Sequence, residues 1–188
     1  KDPNAKALFA KILTLFTGGA SVVLIMLTFT IQDIIKIPLP FKDKGFIIGP
    51  GYWSGVIIVP IVLFAYMFLG IYTNLIAGIY IEKKTKYLPL ITGLGAVLNI
   101  ASAFLLIPIW GITGGAVSTL ISYVAMAVYM YIVSQKFYPV KYEINKLALI
   151  LLIDIAALAV FFYTFGGLDI IYRIIFLVVL SGGIISIV

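Results

Sequence analysis

Cysteine and histidine are both missing from the 188-residue chain, and charged residues make up only 11% of it. The segment therefore has no disulfide, no thiol nucleophile and none of the side chain used most often for metal binding and proton transfer. Soluble domains carry about 25% charged residues, so this chain has too few to cover a water-facing surface. Since 63% of its residues are hydrophobic and its mean hydropathy is +1.21, most of its length is expected to face lipid.

No catalytic arrangement is recognisable in the sequence. It contains no paired carboxylates, no HExxH zinc motif and no glycine-rich loop followed by Lys-Ser/Thr for a nucleotide. The net charge of +6 comes from 13 Lys+Arg against 7 Asp+Glu, but the basic residues flank apolar runs, as they do in membrane proteins. We therefore expect no catalytic residue, no metal site, no cofactor and no nucleic-acid partner.

Six long apolar runs are present instead. Each is apolar on all sides over about 20 residues, which predicts transmembrane helices rather than the alternating strands of a barrel. The expected fold class is an all-α, polytopic membrane helix bundle of about six transmembrane helices. The predicted spans are Leu8–Ile31, Val56–Ile81, Tyr87–Ile107, Ile112–Ile132, Leu147–Phe165 and Ile171–Val188.

Prolines and glycines mark several of these boundaries. Pro60 lies in the first half of the second span, where a missing N–H predicts a kink. Pro89 falls in the first turn of the third helix, where it is tolerated. We expect the third helix to close at Pro108 and the fourth to open after Gly111, which makes the two an antiparallel hairpin.

The basic residues divide unequally between the two ends of the predicted spans, nine against four. The positive-inside rule places the richer side, and with it the start of the chain, in the cytoplasm. The turn with Lys83, Lys84 and Lys86 has a second candidate role in binding anionic lipid head groups. The nine are Lys1, Lys6, Lys11, Lys83, Lys84, Lys86, Lys136, Lys141 and Lys146, and the four are Lys36, Lys42, Lys44 and Arg173.

Small and polar residues recur at helical spacing inside the spans. Such stripes allow helices to approach closely in lipid, so helix packing is their simplest interpretation. Asn74, Asn99 and Ser102 have a second interpretation, as the lining of a wet cavity that a polar substrate crosses. The packing stripes are Gly70, Asn74 and Gly78 in the second span and Gly114, Ser118 and Ser122 in the fourth.

Asp154 is the one acid well inside a predicted span. Intramembrane acids are costly and frequently functional, for example as proton carriers, so Asp154 is a candidate coupling residue. It lies only about 12 Å along the helix from Lys146, however, so a structural acid reached by water is the alternative.

The order of features between Tyr52 and about Lys146 is distinctive. A Pro-containing helix ending in Gly70-Ile71-Tyr72 is followed by the basic turn Lys84-Thr85-Lys86 and then by Asn99. Next come Leu106-Ile107-Pro108 and a glycine-rich run from Gly111 to Ala116. In this order the features resemble the C-terminal part of polysaccharide flippases, which belong to the multidrug/oligosaccharidyl-lipid/polysaccharide exporter superfamily.

The resemblance implies a protein of two six-helix lobes, with two extra C-terminal helices in many members. Such proteins move an undecaprenyl-diphosphate-linked oligosaccharide from the cytoplasmic to the outer leaflet of the inner membrane by alternating access. The chain would be a C-terminal piece of this larger transporter. Residues 1–146 would be later helices of the second lobe, about four spans, and residues 147–188 the truncated extra pair. Polysaccharide polymerases or glycosyltransferases would be partners.

Other functions remain open at this point. The nearest is a multidrug or cation antiporter of the same superfamily, which has the same fold. A membrane enzyme, such as a polysaccharide polymerase or a lipid-linked glycosyltransferase, is a second alternative, although the loops offer few acids or arginines for it. A purely structural membrane subunit is the third.

Overall fold

The chain forms six α-helices and one short 3₁₀-helix, Pro50–Ile58, within the part that the computed structural model describes, namely residues 3–38, 45–164 and 170–188. Lys1, Lys42, Lys44 and Phe165 lie outside these residues. The α-helices are α1 (Pro3–Ile35), α2 (Val59–Ile81), α3 (Tyr87–Trp110), α4 (Ile112–Phe137), α5 (Ile144–Thr164) and α6 (Ile170–Ile187).

Five helical segments are long and apolar enough to cross a membrane, which confirms the prediction of an all-α, multi-pass membrane bundle. The sixth predicted span, expected to be truncated, corresponds to α6, whose apolar part among the described residues, Ile171–Ile187, is shorter than the other five. The five are Asn4–Ile35, Pro50–Ile81, Tyr87–Trp110, Ile112–Phe137 and Ile144–Thr164.

Several helices extend beyond the predicted spans. The segment Asn4–Ile35 has 32 residues, whereas the apolar run predicted Leu8–Ile31. At 1.5 Å per residue this helix is about 48 Å long, longer than the ~30 Å hydrocarbon core. The apolar run therefore marked only the most apolar part of α1, and the flanking residues continue the helix beyond it.

Pro60 does not kink a continuous helix. The 3₁₀-helix Pro50–Ile58 leads directly into α2, which begins at Val59. Pro60 therefore occupies the first turn of α2, where its missing N–H breaks no hydrogen bond of the α-helix. The kink predicted at Pro60 is replaced by a change of helix type just before it, from the 3₁₀-helix to α2 between Ile58 and Val59.

The hairpin between α3 and α4 is tighter than predicted. Pro89 lies in the first turn of α3, as expected, but Pro108 does not end that helix, which continues to Trp110. The turn is made by Gly111 alone, whose φ of 55° is readily adopted by glycine. Its N–H donates to the carbonyl of Ile107 over 2.8 Å and completes the helix end.

The helices form two groups that share α1 as a bridge. α4 packs along both α2 and α3, while α1 packs against α2, α5 and α6. Each group has its own apolar core, because the helices of a group pack their apolar faces against one another. Fully buried members are Leu75, Ile79, Ile91 and Met130 in the first core and Leu24, Ile25, Ala157 and Ile184 in the second.

Large apolar side chains cover the outside of the bundle. α3, which has α4 as its main neighbour, shows this most clearly, with Phe104 79% and Leu105 70% exposed. Such broad apolar surfaces are unfavourable in water and suit contact with lipid or with further membrane helices.

Candidate functional site

A seam of hydroxyl side chains runs along one buried face of α1. Its members, Thr14, Thr17, Ser21 and Thr28, are at most 1% exposed. Their spacings of three, four and seven residues return to the same face of a helix. At Ser21 the seam meets α5, where Asp154 is 0% exposed. We call this arrangement the hydroxyl seam.

Asp154 has one hydrogen bond for its two carboxylate oxygens. The hydroxyl of Ser21 donates to Oδ1, whereas Oδ2 is buried and has no hydrogen-bond partner among the described residues. Asp154 lies about 15 Å along the axis from Ile144, the first residue of α5, at 1.5 Å per residue. Asp154 is therefore the middle residue of α5, which runs from Ile144 to Thr164.

The burial of Asp154 contradicts its interpretation as an acid reached by water. The depth from Lys146 is a distance along α5 alone, whereas α1 packs along α5 and Ser21 of α1 donates to the carboxyl. Asp154 itself is 0% exposed, and Ala157, one turn further along α5, is 1% exposed. The carboxyl is therefore closed off from the surface of the bundle.

The helices around Asp154 supply no opposite charge at its level. α1 has no charged residue between Lys11 and Asp33, and Asp154 is the one charge of α5 after Lys146. Arg173 of α6 is paired with Asp33 at the far end of the bundle, 3.1 Å from its Oδ2. Burying an uncompensated carboxylate costs several kcal/mol, so a proton or a cation must neutralise Asp154 when α1 and α5 pack in this way.

The three candidates for a substrate path lie on α2 and α3. Asn74 uses its Nδ2 to donate to the carbonyl of Gly70 over 2.9 Å, and Ser102 donates to the carbonyl of Leu98 over 2.6 Å. Asn99 differs, because it lines an open groove on α3 and its side-chain amide makes no hydrogen bond to a described residue. The amide of Asn99 is therefore free to bind another molecule.

The structure does not bring the predicted site residues together. Asn74 and Asn99 are on helices that each pack along α4 rather than extensively on each other. Asp154 belongs to the other helix group, between α1 and α5. Within the described residues the candidates thus belong to two separate sites. One is the hydroxyl seam with Asp154, and the other is the groove that Asn99 lines.

The small residues of α4 lie directly against α3. A Cβ on Gly114 would be 2.3 Å from the carbonyl oxygen of Leu106, so the two backbones are in contact. Ser122 donates to the carbonyl of Gly95 over 2.7 Å, which is a hydrogen bond between the two helices. Ser118 is buried but donates to Gly114 within α4.

The two glycines of α2 contact different helices. A Cβ on Gly70 would be 2.1 Å from the ring of Phe16 in α1, and one on Gly78 would be 2.8 Å from the hydroxyl of Ser134 in α4. α2 therefore approaches both helix groups closely, and glycine is the residue that permits each approach.

The basic turn after α2 ends that helix in a Schellman motif. Lys83 has a φ of 52°, in the left-handed region. Its N–H donates to the carbonyl of Tyr80 over 3.1 Å, and the N–H of Lys84 donates to that of Ile79 over 3.0 Å. This pattern usually has glycine at the position that Lys83 occupies. Lys83 thus has a conformational role, which its neighbours in the turn do not share.

Sequence reasoning missed two sets of partners. No role was assigned to Ser21 from the sequence, although its spacing of four residues from Thr17 and seven from Thr28 places it on the same helix face as these threonines. Lys136 and Phe137 of α4 were not connected with the basic turn, because contacts between separate turns leave no local pattern in the sequence.

In comparisons with protein-family models, with curated proteins and with solved structures, nothing matches this chain. The likeness to polysaccharide flippases therefore rests on the order of sequence features alone. The structure itself provides a multi-pass helical membrane architecture with a buried, uncompensated acid.

Proposed function

We propose that the protein to which this chain belongs is a membrane transporter, not an enzyme, and that it carries a lipid-linked oligosaccharide across the cytoplasmic membrane by alternating access. One observation carries the proposal of a transporter, namely the full burial of Asp154 between two apolar spans without an opposite charge. Intramembrane acids of this kind mark ion and proton pathways. The nature of the cargo is supported by the resemblance in sequence.

Asp154 is well placed to couple ion binding to helix movement. The packing of α1 against α5 is favourable only while the carboxyl is neutralised, because a buried carboxylate without an opposite charge would cost several kcal/mol. A free-energy difference of about 5.5 kcal/mol is enough to move a two-state equilibrium from 1:99 to 99:1. Loss of the neutralising proton or cation could thus drive α1 and α5 apart during the transport cycle.

Asn99 is the strongest candidate for contact with the cargo. Its amide lies on an apolar, outward-facing groove with Phe104 and Pro108, where a polar group is unfavourable unless a polar neighbour binds it. The sugar hydroxyls of an oligosaccharide would provide such neighbours. Asn74 and Ser102 are weaker candidates, because each already donates a hydrogen bond to its own helix.

The test uses the full-length protein reconstituted in liposomes. A lipid-diphosphate-linked oligosaccharide is followed from one leaflet to the other, with empty liposomes as the baseline. We expect translocation above the baseline, and its loss in an Asp154→Asn variant that keeps the shape of the side chain. Thr30→Ala is the matched control on α1, since Thr30 is only half-buried and its hydroxyl bonds only within its own helix.

Two results would contradict the proposal. Uptake of a cationic dye against a proton gradient, without translocation of the oligosaccharide, would support the multidrug antiporter instead. Full transport by a stable Asp154→Asn protein would remove the coupling role of Asp154. For the cargo path, an Asn99→Leu variant that transports at the normal rate would exclude Asn99.

A further inference from the structure

Lysines from two separate parts of the chain meet at one pair of aromatic rings. Nζ of Lys84, in the turn after α2, is 5.6 Å from the centre of the Phe137 ring, and Nζ of Lys136 is 5.9 Å from the same point. Tyr87 packs against Phe137 with ring centroids 5.2 Å apart, and Nζ of Lys86 is 5.5 Å from the centre of the Tyr87 ring. We call these five residues the lysine–aromatic cluster.

The lysine–aromatic cluster lies at the level where three apolar spans end or begin. These boundaries are Ile81 for α2, Tyr87 for α3 and Phe137 for α4. All three lysines of the cluster are exposed, whereas the two rings are half-buried against the apolar core. The ammonium groups are therefore at the depth of lipid head groups, and the rings lie at the border of the hydrocarbon.

The cluster gathers positive charge without enough negative charge nearby. With Lys83, the turn and the end of α4 carry four lysines, and Glu82 is the one acid of the turn. Contact with an aromatic face attracts an ammonium group but does not cancel its charge. Holding several like charges around two rings is unfavourable, and an anion bound between them would offset this repulsion.

We propose that the lysine–aromatic cluster binds the phosphate group of an anionic phospholipid in the adjoining leaflet. Lys84 and Lys136 contact the phosphate from the two chain segments, and Lys86 supplies a third charge. The Phe137 and Tyr87 rings lie beside the glycerol and the first carbons of the acyl chains. The proposal does not depend on the transported cargo, since phospholipid surrounds the bundle in any case.

The test measures lipids retained by the purified full-length protein in native mass spectrometry, after exposure to equal amounts of phosphatidylglycerol and phosphatidylcholine. We expect the unmodified protein to retain phosphatidylglycerol preferentially. A Lys84→Gln/Lys136→Gln variant should bind it at least about tenfold more weakly, because it loses two direct contacts between an ammonium group and the phosphate.

The matched control is a Lys11→Gln/Lys141→Gln variant. It removes the same charge from the same end of the bundle and also changes only exposed side chains, so its binding should stay within about threefold of the original through diffuse electrostatic effects alone. Equal losses in the two variants would overturn the proposal, as would the absence of a preference over phosphatidylcholine. Displacement of phosphatidylglycerol by an equal amount of a polyprenyl diphosphate would also overturn it, because the cluster would then serve the cargo.

Discussion

Ser21 provides the one hydrogen bond that the buried carboxyl of Asp154 receives. Replacing Ser21 by alanine leaves both carboxyl oxygens without a partner inside the bundle, which typically costs about 1–3 kcal/mol. We predict that Ser21→Ala lowers the melting temperature of the detergent-solubilised protein by several degrees, at about 2–4 °C per kcal/mol for a chain of this size.

Thr30→Ala is the control for this prediction, because Thr30 is also a hydroxyl residue of α1 but is only half-buried and donates within its own helix. It should leave the melting temperature nearly unchanged. If Ser21→Ala were as stable as the original protein, the hydrogen bond to Asp154 would not contribute to the packing of α1 on α5.

Glu143, just before α5, gives a prediction about pH. A hydrogen bond from Thr14 and the nearby Lys146 lower the pKa of Glu143 below its ordinary value of 4.5. The folded state therefore gains stability from the ionised Glu143 above about pH 4.5 and loses it as the pH falls through the lower, folded-state pKa. Between pH 6 and pH 3 the melting temperature should fall more steeply in the original protein than in Glu143→Gln. Parallel curves for the two proteins would show that Glu143 has no such linkage.

At the scale of helices, the hairpin of α3 and α4 is the most closely packed pair of neighbours in the sequence. Its two backbones touch at Gly114 and Leu106, and Ser122 donates a hydrogen bond from α4 to α3. In lipid the association of helices depends on such close contacts, because apolar side chains gain little from contact with one another.

Gly114→Ala should therefore separate the two helices. Its Cβ would lie 2.3 Å from a carbonyl oxygen of the backbone, which cannot rotate away as a side chain can. Overpacking of this kind costs about 1–3 kcal/mol, which thermal unfolding of the purified protein would measure.

Gly115→Ala is the matched control, because the nearest atom to its Cβ is 4.0 Å away. That change should stabilise α4 by up to ~1 kcal/mol, since alanine favours a helix more than glycine does. Equal melting temperatures for both variants would contradict the close contact.

At the scale of the whole molecule, the membrane bundle could be predicted from composition alone, because a chain with so few charges cannot face water along its length. The spans and the tight α3–α4 hairpin followed from apolar runs and from the position of Gly111. Pro60 and Pro108 were less informative. Their effect depends on whether they lie inside a helix or in its end turns, and apolar runs do not define helix ends within one turn.

The contacts between distant segments could not be predicted in this way. The depth of Asp154 was judged from α5 alone, but the helix that packs on it and donates its hydrogen bond is α1, which is distant in sequence. Lys84 and Lys136 likewise meet at Phe137 only because α2 and α4 are neighbours in the bundle. Polar residues on an apolar helix indicate that a partner exists, but the partner is set by the tertiary packing.

The orientation of the bundle gives the last prediction. The 3₁₀-helix leads into α2 at one end, and the basic turn follows α2 at its other end. If α2 crosses the membrane, Gly49 and Thr85 should therefore lie on opposite sides of it. Both residues are exposed, and this chain has no native cysteine to interfere with labelling. Because the positive-inside rule assigns the lysine-rich end to the cytoplasm, a membrane-impermeant maleimide added to intact cells should label Gly49→Cys in an otherwise cysteine-free protein. It should label Thr85→Cys only after the membrane is opened. The reverse pattern would invert the orientation and place the lysine–aromatic cluster in the outer leaflet, and labelling of both variants from one side would contradict the assignment of α2 as a span.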